Sequence, residues 1–312
     1  MEPERNLLVR IAHMYYEENQ TQQRISERLG CSRMAVSRYL QKAKDTGVVH
    51  IQIDYDGIFP DLEQALKKKF GLEDAAIVPY ENEPRLKRML AQTAANILLE
   101  KLRPGHVVGV GWGSTLALVP EFLEDTPARD VAFVPLLGGY GQISIHMHAN
   151  QIASRLGEVF RCKSYILNAP ALVSNISLKD GLMEDPAIKS TLDIARHADI
   201  ALVGIGAPFA EESTLSLSGY YSPDDIDSLK ASQVECNLLS IIYIDKDGKE
   251  RKFDMVERNI GVTAEEYKHI PLKMAVAGGQ GKLFAIRSAI EHRLVDIIVT
   301  DEKTAEFCLR NR

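Results

Sequence analysis

Three short stretches carry the residue types from which an anion site can be built. "GVGWGST" supplies Gly113, Ser114 and Thr115; "LLGGYG" supplies Gly138 and Gly139; "VAGGQGKL" supplies Gly278, Gly279, Gly281 and Lys282. Each follows an apolar run, and the first and third lead into a helical pattern. Such turns expose backbone N–H groups where unpaired donors and the helix dipole attract negative charge. The hydroxyls of Ser114 and Thr115 add donors, and Lys282 adds a full positive charge. Phosphate capture is one reading; an ordinary tight strand-to-helix connection is the other.

Spacing narrows the ligand. A Walker A loop needs glycine where Val276 stands and Ser or Thr where Leu283 stands. The dinucleotide fingerprint fails as well, because Gly109 and Gly111 would need a third glycine at Ser114. The expected ligand is therefore a smaller phosphorylated molecule.

Other reactive groups are poorly arranged for chemistry. His146 and His148 lie two apart at a helix start, where imidazoles do not converge on a metal. The acids Asp180, Glu184 and Asp185 of "KDGLMED" fall in a polar connector, where solvation is the simpler reading. Four scattered cysteines form no C-x-x-C pair, which points away from zinc or a disulfide framework and toward a reducing cytoplasm. No metal and no cofactor are expected. Trp112, beside the first glycine turn, either lines a pocket or packs in the core.

The elements that must hold these turns are legible in the apolar runs. "DAAIVPY", "HVVGVGW", "VAFVPLLGG", "KSYILNA", "DIALVGIG", "PLKMAVAGG" and "DIIVT" read as buried strands, separated by helical stretches at 85–102, 147–161, 186–197, 281–292 and 301–310. Apolar strands alternating with helices predict a doubly wound, mainly parallel α/β sheet covered on both faces. Ligands bind such sheets beyond the carboxyl ends of the strands, near a topological switch point.

The first fifty residues follow a different plan. Leu8, Ile11, Ala12 and Tyr15 have helical spacing. In "TQQRISERLGCSRMAVSRYL", Thr21 caps a short helix with Ile25 and Leu29 facing inward, and Gly30 ends it. Ser32 caps the next helix, whose buried stripe is Val36, Tyr39, Leu40 and Ala43. Small Ser26, glycine four residues on and an aliphatic six beyond that form the helix-turn-helix spacing. Ser32, Arg33, Ser37, Arg38 and Gln41 face outward and are the candidate DNA contacts, since these types bond base edges and phosphates. "VVHIQIDY" (48–55) alternates and reads as a wing strand.

The boundaries follow: 1–56 for a winged helix-turn-helix and 57–312 for the larger domain, which opens on a linker helix at 57–72. The Leu62, Leu66 and Phe70 stripe of that helix packs either within its own chain or between chains. Charge agrees with the division. Net charge is −6, yet residues 22–44 carry six basic side chains and one acid, the footprint of a small DNA-binding module on an acidic body. No apolar run approaches the about 20 residues of a membrane helix, and "MEPERNLLVR" has no apolar signal region.

Assembled, these residues resemble the SorC-type family of bacterial sugar-catabolism regulators along essentially the whole chain. The resemblance is carried by the helix-turn-helix stretch, "GVGWGST", "PLLGG", "DIALVGIG" and above all the closing "AGGQGKLFAIRSAIEHRLVDIIVTDEKTAEFCL". It implies a sequence-specific regulator of a carbohydrate operon rather than an enzyme, with operator DNA and a sugar or sugar-phosphate effector as partners. It also implies an effector domain like the sugar-phosphate isomerases and deaminases, and a homo-oligomer, usually a tetramer. Carried over by motif, Gly113, Ser114, Thr115, Gly138, Gly139 and Lys282 line the effector pocket, with Gln280 beside the phosphate and Asn150 as a further contact. Where the family often has a Val-Gly-Asp segment near the ligand, this chain reads "QVECNLL", so Glu235 or nothing replaces that acid. An isomerase or deaminase of the same fold is the alternative, and it would need a general base near the sugar carbons.

Overall fold

The computed structural model describes residues 2–49, 58–123, 130–141, 144–209 and 221–310. The chain divides into two compact units, Met1–Asp56 and Gly57–Arg312.

The first unit is built from α1 (Glu2–Ala12), α2 (Gln22–Leu29) and α3 (Arg33–Asp45), with a π-helical turn at His13–Glu17 extending α1. Ile11, Met14, Ile25, Val36 and Leu40 make its core. The Thr21 side chain accepts from Arg24 N–H (3.3 Å) and that of Ser32 from Ala35 N–H (3.1 Å), so both expected caps are in place. Gly30 adopts the left-handed conformation (φ 67°) and its N–H returns to the Ser26 carbonyl. Ser26 is buried, and α2 packs against α3. Beyond α3, Val48 and Val49 turn back to bond the Ala43 carbonyl. Most of the expected wing strand at 48–55 lies outside the described residues.

The second unit opens on α4 (Pro60–Phe70), β1 (Asp74–Val78), α5 (Arg85–Lys101), β2 (Val107–Val110) and β3 (Ala132–Pro135). It continues through α6 (Ala149–Phe160), β4 (Lys163–Ser164), α7 (Ile176–Met183), α8 (Pro186–Arg196), β5 (Ile200–Val203) and α9 (Pro223–Ala231). Then come β6 (Val234–Leu238), β7 (Ile242–Asp245), β8 (Glu250–Arg251), α10 (Asp254–Glu257) and α11 (Ala264–His269). β9 (Leu272–Val276), α12 (Leu283–Glu291), β10 (Ile297–Asp301) and α13 (Glu302–Leu309) complete it. Seven strands form one sheet in the order β1-β10-β9-β5-β2-β3-β4, every neighbouring pair parallel.

Period-two alternation explains why the sheet needs helices on both faces. Ala201, Val203, Ala275 and Ile298 pack into one layer with α4, α8, α12 and α13. Their neighbours Leu202, Met274, Val276, Ile297 and Val299 pack into the other with α5 and α6. The Leu62, Leu66 and Phe70 stripe belongs to the first layer, with Leu66 fully buried, so it is satisfied within its own chain. Lys69 Nζ fastens α4 to the end of α13 by donating to the carbonyls of Cys308 (3.2 Å) and Leu309 (2.9 Å).

A second sheet was not anticipated. β6, β7 and β8 pair antiparallel, and β6 lies against α12. Its first hairpin turns through Leu239 (φ 52°) and Ser240 (φ 60°), left-handed without the glycine that signals such a turn. The β6–β7 register also shifts between Val234 and Cys236, which interrupts simple alternation.

Candidate functional site

From β2 the chain steps outward to β3 and β4; from β5 it steps the other way to β9 and β10. The switch point therefore lies between β2 and β5, and a cavity of about 750 Å³ opens beyond the carboxyl ends of the strands there. Its wall comes from the turns after β1, β2, β5 and β9 and from the end of β6.

Two turns supply an anion cradle. Ser114, Thr115 and Leu116 after β2, and Gln280, Gly281 and Lys282 after β9, all line the cavity. Among the described residues, the backbone N–H groups of Ser114, Thr115, Leu116, Gln280 and Gly281 have no protein acceptor. Five such donors beside the Lys282 ammonium are suited to phosphate oxygens. The first turn feeds a 3-10 helix, Leu116–Phe122, rather than an α-helix, and Pro120 within it fits this tighter winding.

The second turn is held from beneath by Asp301. This fully buried carboxylate accepts from Gly279 N–H (2.7 Å) and Thr304 Oγ1 (2.6 Å) through Oδ2, and from Thr304 N–H (3.1 Å) through Oδ1. It thereby caps α13 and shapes the ligand turn together. Only glycine suits positions 278 and 279: a Cβ on Gly278 would lie 2.7 Å from Asp301 Oδ2, and Gly279 sits at φ +96°.

The third glycine stretch does not join them. Gly138 and Gly139 donate their N–H groups to the carbonyls of Ile260 and Ala169, both at 2.9 Å, and neither lines the cavity. Gly138 is glycine because a Cβ would meet the Ala169 and Pro170 carbonyl oxygens at 2.5 Å. Asn150 is also engaged elsewhere: its amide clamps the Leu167 backbone, accepting from N–H at 2.8 Å and donating to C=O at 2.9 Å. The structure thus does not bring these three positions to the cavity; chain crossings use their polar groups.

Several cavity residues carried no sequence signal. After β1 come Tyr80, Glu81, Glu83 and Lys87, where Glu81 pairs with Arg85 (3.2 Å) and Glu83 with Lys87. Lys87 adds a second cation to the wall. On β6 it is Asn237, not Glu235, that reaches the cavity. Asn237 is 5% exposed, and its Nδ2 has no hydrogen-bond partner among the described residues. A buried orphan donor on a residue that lines a cavity is an opening for a ligand oxygen.

Trp112 lines the cavity and packs on Tyr140 with ring centroids 4.5 Å apart. Tyr140 donates to Ser240 Oγ (2.5 Å), and Tyr243 and Tyr221 share a hydroxyl contact (3.2 Å) behind it. Burial, and then the neighbouring phenols, push the Tyr243 hydroxyl well above its ordinary value. The acids of "KDGLMED" lie away from the cavity: Asp180 and Glu184 are exposed, and Asp185 caps α8. Among the described residues no group of His, Cys, Asp and Glu could hold a metal ion.

In the first unit, Ser32, Arg33, Ser37, Arg38 and Gln41 are all exposed. Positions 34, 37, 38 and 41 share one face of α3, opposite Val36, Leu40 and Ala43. Gln41 Nε2 donates to Asp45 Oδ1 (2.9 Å).

Comparison with known proteins gives this geometry a family. Residues 59–310 match the Sugar-bind family model, described as a "Putative sugar-binding domain". The sorbitol operon regulator of Klebsiella pneumoniae is 30% identical, with 97% of this chain and 98% of that protein covered. The chain belongs to the SorC-type family of sugar-responsive transcriptional regulators. Another relative, the deoxyribonucleoside regulator of Bacillus subtilis, is 27% identical over 96% of both chains. The crystal structure of the full-length sorbitol operon regulator SorC from Klebsiella pneumoniae aligns with a TM-score of 0.75 at 29% identity. That alignment covers 98% of this chain and 99% of the other, so the likeness of fold spans both units.

Proposed function

We propose that this SorC-type regulator binds operator DNA through residues 1–56 and senses a phosphorylated sugar through residues 57–312. The five unpaired N–H groups beside Lys282 carry the effector half of the reading. They offer a phosphate more donors than any neutral sugar hydroxyl would use. Ser114, Thr115, Gln280 and Lys282 hold the phosphate, with Gly113 (φ +136°) allowing the first turn its shape. Asn237, Glu81 and Glu83 face the hydroxyl-bearing remainder, and Trp112 offers an apolar face to its carbon skeleton.

The operator half rests on Arg33, Ser37, Arg38 and Gln41 along the exposed face of α3, with Ser32 at its start. A single helix-turn-helix reads a short half-site, so the acting species is a symmetric oligomer, and a tetramer fits the family resemblance. Acting on an operator places the protein in the cytoplasm. The regulator reading also assigns no catalytic residue: among the described residues the carboxylates lining the cavity, Glu81 and Glu83, are engaged with Arg85 and Lys87.

The deciding experiment is a thermal-shift screen of sugars and sugar phosphates on the full-length protein, followed by operator binding with each hit. A saturating effector at a hundred times its Kd should add about 2.7 kcal/mol of apparent stability and change operator affinity. Stabilisation by free sugars alone would remove the phosphate cradle. Turnover of a sugar phosphate would favour the enzyme alternative.

A further inference from the structure

The base-reading face of α3 contains an apolar side chain that the core does not explain. Val36, Leu40 and Ala43 are buried, and Tyr39 is half-buried against them, whereas Met34 is 70% exposed. It lies one helical turn before Ser37 and Arg38 and two before Gln41 on the same face. Arg33 adjoins it, Arg38 lies one turn on, and Lys42 and Lys44 follow toward the end of α3, so the helix carries positive charge that favours a polyanionic partner over an apolar protein groove.

In the major groove of DNA the distinctive apolar feature is the C5-methyl group of thymine. A methionine near the N-terminal end of a groove-lying helix is flexible and polarizable enough to cover it. We propose that Met34 is a specificity-determining residue that reads a thymine methyl in each operator half-site. This rests on α3 being the recognition helix, and it adds a kind of readout that the polar side chains of that face cannot supply.

The test pairs protein and base changes. An operator duplex is selected from a randomised DNA library with the full-length protein, and each thymine is replaced in turn by uracil, which removes only the methyl. Wild-type affinity should fall about fourfold at one thymine per half-site, the worth of one buried methyl-sized group. Met34→Ala should bind the unmodified duplex correspondingly more weakly and be indifferent to uracil there, while Met34→Leu should keep most of the thymine preference. No sensitive thymine, or an equal uracil penalty in wild type and Met34→Ala, overturns the proposal. Arg33→Ala and Arg38→Ala serve as the control: if neither weakens binding, the recognition-helix assignment has failed, whereas if they weaken it and the methyl effects are additive, Met34 alone has been misread. Because Met34 is exposed, none of these outcomes is confused with unfolding.

Discussion

Replacing Asn237 with leucine should move stability and effector affinity in opposite directions. The Asn237 backbone pairs with Gly206 both ways at 2.8 Å, and those bonds survive any side-chain change. Its side-chain Nδ2, however, is buried without a partner among the described residues. An unsatisfied buried donor costs about 1–3 kcal/mol, and leucine has similar size without that donor. The empty Asn237→Leu protein should therefore be more stable by about 1 kcal/mol or more, which for a unit of this size raises Tm by roughly 2–4 °C per kcal/mol. The effector, in contrast, loses a neutral hydrogen bond worth about 0.5–1.5 kcal/mol, so Kd should rise by roughly two- to tenfold. Calorimetry on the empty protein and titration with the sugar phosphate found by thermal shift read the two quantities separately. A leucine variant that is less stable when empty, or that binds the effector as tightly as wild type, refutes the role given to this amide.

Other outcomes follow from the same geometry. Lys282→Ala removes one charge-assisted contact and should weaken effector binding roughly ten- to a hundredfold, with operator binding of the empty protein retained, as titration and gel-shift would show. Gly279→Ala forces a Cβ into a φ of +96° and should lower stability by about 1–2 kcal/mol and impair effector binding, whereas Gly281→Ala, at a position not held at positive φ, should spare stability. Asn150→Ala should lower Tm through the lost Leu167 clamp without changing effector Kd once both proteins are folded. Burial alone would raise the Asp225 carboxyl, but bonds from Ser222 and Arg258 outweigh it and hold it below the ordinary carboxylate value. Its charge thus stabilises the fold above the ordinary Asp range and stops doing so as pH falls through the lowered value. Asp225→Asn should therefore be less stable at pH 7 and converge on wild type in strong acid, as urea melts across pH would detect.

What could be read in advance was whatever is local and periodic. The helix-turn-helix appears in the spacing of Ser26, Gly30 and Val36, because helix caps and turns are settled by near neighbours. The parallel sheet appears in its apolar runs, because burial on both faces leaves no polar alternation to confuse them. The cavity was legible only where a turn is marked by glycine. Even there the signal was ambiguous: Gly138 is glycine to let the Ala169–Pro170 segment pass, and Gly278 to admit Asp301, and a sequence does not tell these two needs apart. Asn237 was missed because a left-handed turn at Leu239 and Ser240 and a register shift conceal β6. Glu81, Glu83 and Lys87 were missed because only the return of α5 beside the β9 turn gives those ordinary surface types a cavity to face.

The fastening of α4 to α13 limits how the effector unit can move. Asp301 ties the turn after β9 to the start of α13, and Lys69 ties the far end of α13, about 12 Å away, to α4 at the start of the second unit. Turn, terminal helix and entry helix are thus coupled in series by side-chain bonds, with no slack loop between them. A ligand that displaces Gly279 must either carry α13 along, and with it the carbonyls that Lys69 grips, or break the bonds of a fully buried carboxylate. The second course is expensive, so a displacement of this turn is carried along α13 to α4 within the second unit rather than absorbed where it begins.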